Sequence, residues 1–258
     1  MVFDLALFEA LNAEYASRRL VKKARVYDTV ALVDRGLRRA TQLDKTYRLK
    51  DKSVLEIGCG RAEILSKLAE HFDCQCVGVD VAEYPQWQQL TPTTSLQLFK
   101  ADLSQDVQCL GGRKFDFIFS SAVWEHVTHP YEMLKQARDH LAAGGEFLLI
   151  ANLHRGPKAS HRYREIFFPW PHLLFTDEVV EEFYLKHHKR RARCAWVNRL
   201  TAAHYILYFQ LLGLEVVRLD YTTTPLDLPF YQRFEDVLSR YPIFDLERDF
   251  IEAHLRLK

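Results

Sequence analysis

The stretch Val54–Leu65, VLEIGCGRAEIL, decides how this chain is read. An apolar run ends on an acid, passes through Gly-Cys-Gly and resumes at once as a helix. Gly58 and Gly60 leave out the side chains that would keep a ligand away from a first strand-to-helix turn, where doubly wound sheets bring backbone closest to what they bind. Glu63 stands where a strict G-x-G-x-x-G dinucleotide fingerprint begun at Gly58 wants its last glycine, which weakens a nicotinamide oxidoreductase reading. Taken alone, a G-x-G turn is equally consistent with simple packing of helix on strand.

Working outward, short apolar runs alternate with helical segments: SVLEIG, a helix from Ala62, CVGVD, LQLFKAD, FDFIFSS, a helix from Tyr131 and GEFLLIAN. That alternation predicts an α/β fold, a doubly wound and mostly parallel sheet with helices on both faces. Gly144-Gly145 reads as a helix stop and turn before the fifth strand. Ahead of the core, Phe3, Leu7, Phe8, Leu11 and Tyr15 recur at helical spacing and YDTVALVDRGLRRA follows, so residues 1–48 are expected to form a helical cap. Residues 154–176 are rich in His, Arg, aromatic residues and Pro, and a loop of that length reads as an insertion over a binding site. Helices are predicted near 177–190 and 199–212, a sixth strand at LEVVRLDY, a helix at YQRFEDVLSRY and a last antiparallel strand at DFIEAHLRLK. The whole, 1–258, reads as a single domain, with a core at 49–153 and an acceptor-side part at 154–258.

Composition bounds the function. The chain has 258 residues, is 48% hydrophobic and carries a formal net charge of +1, which argues against a processive nucleic-acid enzyme and leaves any electrostatic preference local. Cys59, Cys74, Cys76, Cys109 and Cys194 show neither a disulfide framework nor zinc-finger spacing, so reduced thiols and no metal are expected. The amino end carries Asp4 and Glu9 within its apolar part and makes a poor signal peptide, and no run is long enough to span a bilayer. A cytoplasmic protein is the expectation.

Acids stand at three successive strand ends: Glu56 before the glycine turn, Asp80 twenty residues after Gly60, and Asp102 in FKAD. A carboxylate at the second strand end suits ribose hydroxyls. Three such acids suit a nucleoside with a cationic far end and not a pyrophosphate.

With VLEIGCG, VGVD, KADLS, FDFIFSSAVWEHV and LAAGGEFLLI in this order over residues 52–153, the chain resembles class I S-adenosylmethionine-dependent methyltransferases, which have a Rossmann-like fold. The resemblance implies S-adenosylmethionine as cofactor and S-adenosylhomocysteine as product. It places the turn Gly58, Cys59, Gly60 along the methionine moiety with Glu56 orienting that end, Asp80 and neighbouring Val81 at the ribose, and Asp102 and Leu103 at the adenine. Ser120 and Ser121, with the following VWEHV at 123–127, would line the methyl-transfer side. Ala62, in place of a third glycine, is a mild departure. The cofactor supplies the activated methyl, and positioning alone is worth up to roughly 7–11 kcal/mol in ideal cases.

If the acceptor is a neutral hydroxyl, a base must take its proton. His126 in EHV and His154 beyond the fifth strand are the two candidates; a packing or hydrogen-bonding role at a helix start is the other reading of His126. Arg155, His161 and Tyr163 in the following loop, with Trp170 and His172 in FFPWPHLLF, are candidate acceptor-binding residues, or else a solvated loop and a rigid wall. This loop is also similar to segments of methyltransferases found with bacterial polysaccharide biosynthesis enzymes, which implies a glycan or glycolipid hydroxyl as acceptor. The acid-free run 186–199 is either a solvated helix face or a phosphate-binding strip, and the latter motivates an RNA methyltransferase as the rival reading. A SAM-binding regulatory protein without turnover is the reading from another class.

Overall fold

A computed structural model of the protein describes residues 2–17, 29–90, 95–192 and 198–258. Five strands carry the core: β1 (Ser53–Ile57), β2 (Gln75–Asp80), β3 (Leu96–Lys100), β4 (Phe115–Ser121) and β5 (Leu141–Asn152). Two more, β6 (Leu214–Thr223) and β7 (Arg248–Leu257), complete a seven-stranded sheet in the order β3-β2-β1-β4-β5-β7-β6. The pairs β1–β2, β1–β4, β2–β3 and β4–β5 are parallel. Hydrogen bonds from Lys258 N–H to the Gly213 carbonyl and from Thr224 N–H to the Glu247 carbonyl make β6 and β7 antiparallel neighbours. The last strand is therefore the antiparallel one expected from its sequence.

The helices are α1 (Leu5–Glu14), α2 (Thr29–Tyr47), α3 (Glu63–Phe72), α4 (Pro130–Asp139), α5 (Pro171–Leu174), α6 (Asp177–His188), α7 (Ala202–Leu211), α8 (Leu228–Arg233), α9 (Glu235–Leu238) and α10 (Ile243–Leu246). No helix among the described residues is long and apolar enough to cross a membrane. Strand order reverses at β1, whose neighbours are β2 and β4. That reversal opens a crevice at the carboxyl ends of the strands, where ligands bind in such sheets.

Where the sequence reads as one domain, the chain partitions into two compact units. One comprises Met1–Arg25, Asn152–His204 and Tyr221–Ile251; the other comprises Val26–Ala151, Tyr205–Asp220 and Glu252–Lys258. The expected amino-terminal cap is divided between them, α1 in the first unit and α2 in the second. The reason is packing: Phe8, Leu11 and Tyr15 are buried against Ile166, Phe168, Trp170, Phe183 and Phe230, so the helical stripe read near the amino end covers the insertion. In the second unit, Ala40 and Tyr47 of α2 join the core built around Val54, Leu65, Leu68, Phe117 and Phe119.

Gly144-Gly145 serves a different purpose from the helix stop expected. The helix ends at Asp139, and β5 begins at Leu141 opposite Phe115, yet the next partners are Phe117 and Glu146. The intervening residues form a bulge. Gly144 takes φ +76°, and a Cβ on Gly145 would stand 2.8 Å from the Phe115 carbonyl oxygen. Cys59, Cys74, Cys76 and Cys109 are free thiols, while Cys194 lies outside the described residues.

Phe8 is fully buried, with its ring 4.8–5.1 Å from those of Phe168, Phe175 and Phe183. Phe8→Ala is expected to lower the unfolding free energy of the first unit by about 3–5 kcal/mol. Urea unfolding followed by intrinsic fluorescence measures this, and a loss under about 1 kcal/mol would show that α1 is not integral to that core.

Candidate functional site

In the second unit a cavity of about 510 Å³ opens at the ends of β1 to β4. Its walls come from four connections. The first supplies Gly58 and Gly60, the second Asp80, Val81 and Tyr84, the third Asp102 and Leu103, and the fourth Ser121, Val123, His126 and Val127. Eight residues named from sequence as binding or catalytic therefore line one cavity: Gly58, Gly60, Asp80, Val81, Asp102, Leu103, Ser121 and His126.

The glycine turn is held from several sides. The Val79 carbonyl accepts from the N–H groups of Gly58 at 2.8 Å and Cys59 at 3.2 Å, and Asp80 Oδ2 accepts from Gly60 N–H at 2.9 Å. Asp80 Oδ1 accepts from Ala82 N–H at 3.0 Å, so one carboxylate fixes its own loop and the neighbouring one. Trp87, buried, donates its indole N–H to the Gly60 carbonyl at 2.7 Å. Gly58 is obligatory for space: with φ +76°, a Cβ there would stand 2.2 Å from Val123 Cγ2. Gly60 has φ +54° and open space in front of it. Ala62, the mild departure from a third glycine, takes φ +58° in the left-handed region and caps α3 without a side-chain bond. A non-glycine residue there carries a modest conformational cost.

Glu56 is 6% exposed, and its Oε2 finds no hydrogen-bond donor among the described residues. Burial first, and then the nearby charges of Glu63 and Asp80, push this carboxyl well above the usual range. Glu56 does not itself line the cavity, but it directly precedes Ile57 and Gly58, which do, and a buried acid without a donor there fits a ligand with a cationic amine or sulfonium end. Asp102 is partly committed to its own loop, accepting from Ser104 N–H and hydroxyl on Oδ1 and from Gln105 on Oδ2.

Two sequence-named residues are placed elsewhere. Ser120 is buried and donates its hydroxyl to the Ile57 carbonyl at 2.8 Å, tying β4 to β1. Cys59 is buried in the core, its sulfur 2.8 Å from where a Gly78 Cβ would be, and burial raises its thiol pKa. Both side chains serve packing, Ser120 because alternation along β4 sends every second side chain away from the crevice. Val123 and Val127, named from sequence within VWEHV, line the cavity, whereas sequence reading missed Tyr84 and Met133. Tyr84, four residues past Asp80 at a strand end, carried the one usable signal.

His126 closes a 3-10 turn Trp124–His126, anchored by buried Trp124, whose indole N–H donates to the Pro130 carbonyl at 3.2 Å. The imidazole is exposed at the cavity wall. His154 belongs to the other unit. There it lines a second cavity, of about 410 Å³, together with His172, its ring 5.1 Å from that of His172. Burial, then Arg199 and Arg155, lower the His154 pKa to about 4.

Of the other acceptor candidates, Trp170 is 1% exposed and donates its indole N–H to the Leu246 carbonyl at 3.1 Å, so it is core and offers no stacking face. Its aromatic neighbours in FFPWP made the core the energetically favoured place. Arg155 is spent on Asp245 at 2.7 Å and lies over the Tyr241 ring. His161 pairs with Asn152 Oδ1 at 2.6 Å, and Tyr163 is half-buried. Part of the described basic run is paired with acids. Lys186 and His187 meet Glu9, Arg190 meets Glu165 and Arg191 approaches Glu181, while Arg193–Val197 lie outside the described residues.

A family model described as a methyltransferase domain matches residues 27–219. The chain is similar to the chloroplastic tocopherol O-methyltransferase of Arabidopsis thaliana, 26% identical over 60% of this chain and 45% of that protein. It is also similar to the ubiquinone biosynthesis O-methyltransferase of Pseudomonas syringae pv. tomato, 27% identical over 60% of this chain and 65% of that one. The match thus spans from under half to nearly two thirds of these relatives' length. Among solved structures, the S-adenosylmethionine dependent methyltransferase from Mesorhizobium loti superposes with a TM-score of 0.53 at 15% identity, covering 87% of this chain and 99% of that one, a likeness of fold.

Two expectations follow from the cavity. Gly60→Ala, meeting only the left-handed backbone penalty, is expected to cost about 1–2 kcal/mol and leave the cavity open. Gly58→Ala must displace Val123, and is expected to be the more destabilising and to abolish ligand capture in calorimetry; equal behaviour of the two variants would refute the cradle. For Glu56 the folded pKa is raised, so the folded state binds more protons above about pH 4.5 and stability falls as pH rises through that window. Glu56→Gln, neutral throughout, is expected to flatten that dependence in thermal unfolding between pH 5 and pH 8; an unchanged slope would mean that the carboxyl is ionised in the fold.

Proposed function

We propose that this chain, which belongs to the methyltransferase-domain family, is an S-adenosylmethionine-dependent methyltransferase that methylates a hydroxyl oxygen of a sugar-containing acceptor. The observation that carries the cofactor part of this reading is the single cavity walled by the glycine turn, Asp80, Asp102 and His126. The oxygen specificity draws support from the similarity to O-methyltransferases and from a histidine, not an amine-binding motif, after β4.

Each wall has a part in this mechanism. When bound, S-adenosylmethionine supplies a methyl group already activated on a sulfonium. Gly58 and Gly60 bring backbone against the methionine portion, and Glu56 offers its orphaned carboxyl to that cationic end. The Asp80 carboxylate, already fixed by two backbone N–H groups, has lone pairs left for the ribose hydroxyls. Leu103 and Val127 give the base an apolar bed, and Asp102 turns the loop that carries Leu103. His126 takes the acceptor's hydroxyl proton, a contribution of about 10²–10⁴-fold for a positioned base. The pairing of Lys186, His187 and Arg190 with acids takes up part of the charge on which the RNA reading rests.

Titration calorimetry with S-adenosylmethionine, S-adenosylhomocysteine and NADH tests the cofactor. Binding of the first two and not the third is expected, weakened by about 10–100-fold or more in Asp80→Ala. His126→Ala is expected to keep cofactor affinity while lowering turnover by about 10²–10⁴-fold. If both quantities fall together, His126 is a structural residue and the base lies elsewhere. Cofactor binding without turnover on any sugar, glycolipid or phenolic hydroxyl would favour a regulatory protein instead.

A further inference from the structure

The second cavity, of about 410 Å³ and wholly within the first unit, is not used by the mechanism above. Its volume lies in the range of small-molecule sites. The lining is graded. Ile166, Pro171, Phe175 and Val180 form a buried apolar floor; His154, Ser160, Arg162 and His172 stand half-buried on the walls; Asp177, Glu178 and Arg199 are exposed at the mouth.

Two polar features point to a ligand. His172 Nε2 lies 2.6 Å from the His154 carbonyl oxygen, which makes Nε2 the N–H donor and Nδ1 a lone-pair acceptor. That Nδ1 has no hydrogen-bond donor among the described residues. Burial holds the His172 pKa down to about 3, so the acceptor stays unprotonated at neutral pH. Arg199, at the mouth, has no carboxylate partner among the described residues.

The charge arrangement selects among ligand classes. An anion reaching Arg162 would pass Asp177 and Glu178, and a cation drawn by those acids would meet Arg162 and Arg199. A neutral molecule with many hydroxyls meets neither obstacle. Its O–H groups donate to imidazole nitrogen and carboxylate, its oxygens accept from guanidinium and serine, and its C–H face rests on the apolar floor. We infer that this cavity binds a neutral, polyhydroxylated ring of the pyranose type, through Arg162, Ser160, His172 and Arg199.

The sugar class agrees with that of the acceptor proposed above, and the inference rests on that reading for its purpose, though not for binding itself. The test is saturation-transfer NMR on the full chain without cofactor. The probes are methyl glycosides of glucose, galactose, mannose, rhamnose and N-acetylglucosamine, with inorganic phosphate and glycine as charged controls. Saturation of the ring protons of at least one glycoside is expected, with affinity falling about tenfold or more in Arg162→Gln and in Ser160→Ala plus Arg199→Ala. S-adenosylhomocysteine affinity should be unchanged in both variants, which also reports that they fold. No transfer to any glycoside, transfer unaffected by both variants, or binding of phosphate or glycine instead would overturn the inference. Sugar binding that persists while S-adenosylmethionine fails to bind would sink the methyltransferase reading and leave this site standing.

Discussion

The Asp80 carboxylate is the tie on which the crevice depends. It lies at the end of β2, holds Gly60 N–H with one oxygen and Ala82 N–H with the other, and so sets the distance between the first two strand-end loops. Both bonds are to a charged acceptor, the stronger class of hydrogen bond. Trp87 closes the same turn from the opposite direction through the Gly60 carbonyl. A strand end that must face a ligand is thereby rigid before any ligand arrives, and a carboxylate retains lone pairs for the hydroxyls it is proposed to receive.

Aromatic packing organises the other unit. Phe8, Phe168, Phe175, Phe183 and Phe230 meet mainly edge-to-face or tilted, with Trp170 fixed by its bond to Leu246. This core explains why a segment reading as a long loop becomes a structured wall. Lys158 adds a polar anchor, reaching Asp249 at 2.9 Å and Thr224 at 2.7 Å; Asp249 is 0% exposed, and removing Lys158 would leave that buried carboxylate short of a donor. Together these contacts hold His154 and His172 where one backbone carbonyl sets the tautomer of the other's ring.

The parallel core was legible because its signals are local. Period and β-branching mark buried strands, glycines mark the turn, and an acid at a strand end marks itself. What failed failed for tertiary reasons. Ser120 sits one residue before Ser121, and only strand alternation decided that the first bonds Ile57 while the second faces the cavity. Trp170 looked available for stacking until the aromatic core claimed it. Arg155, Lys186 and Arg190 looked free until Asp245, Glu9 and Glu165, distant in sequence, came beside them.

By itself, then, the sequence determined the doubly wound sheet, the glycine cradle and the acids at the strand ends, since each follows from residue type and spacing within one strand-turn-helix unit. Only the tertiary structure decided that α1 belongs to the insertion and α2 to the core, that His126 and His154 line different cavities, and which charges remain unspent. The place of α1 depends on pairings between residues over a hundred positions apart, such as Asn12 with Phe167 and Tyr15 with Asp227, and no local pattern encodes a partner at that distance.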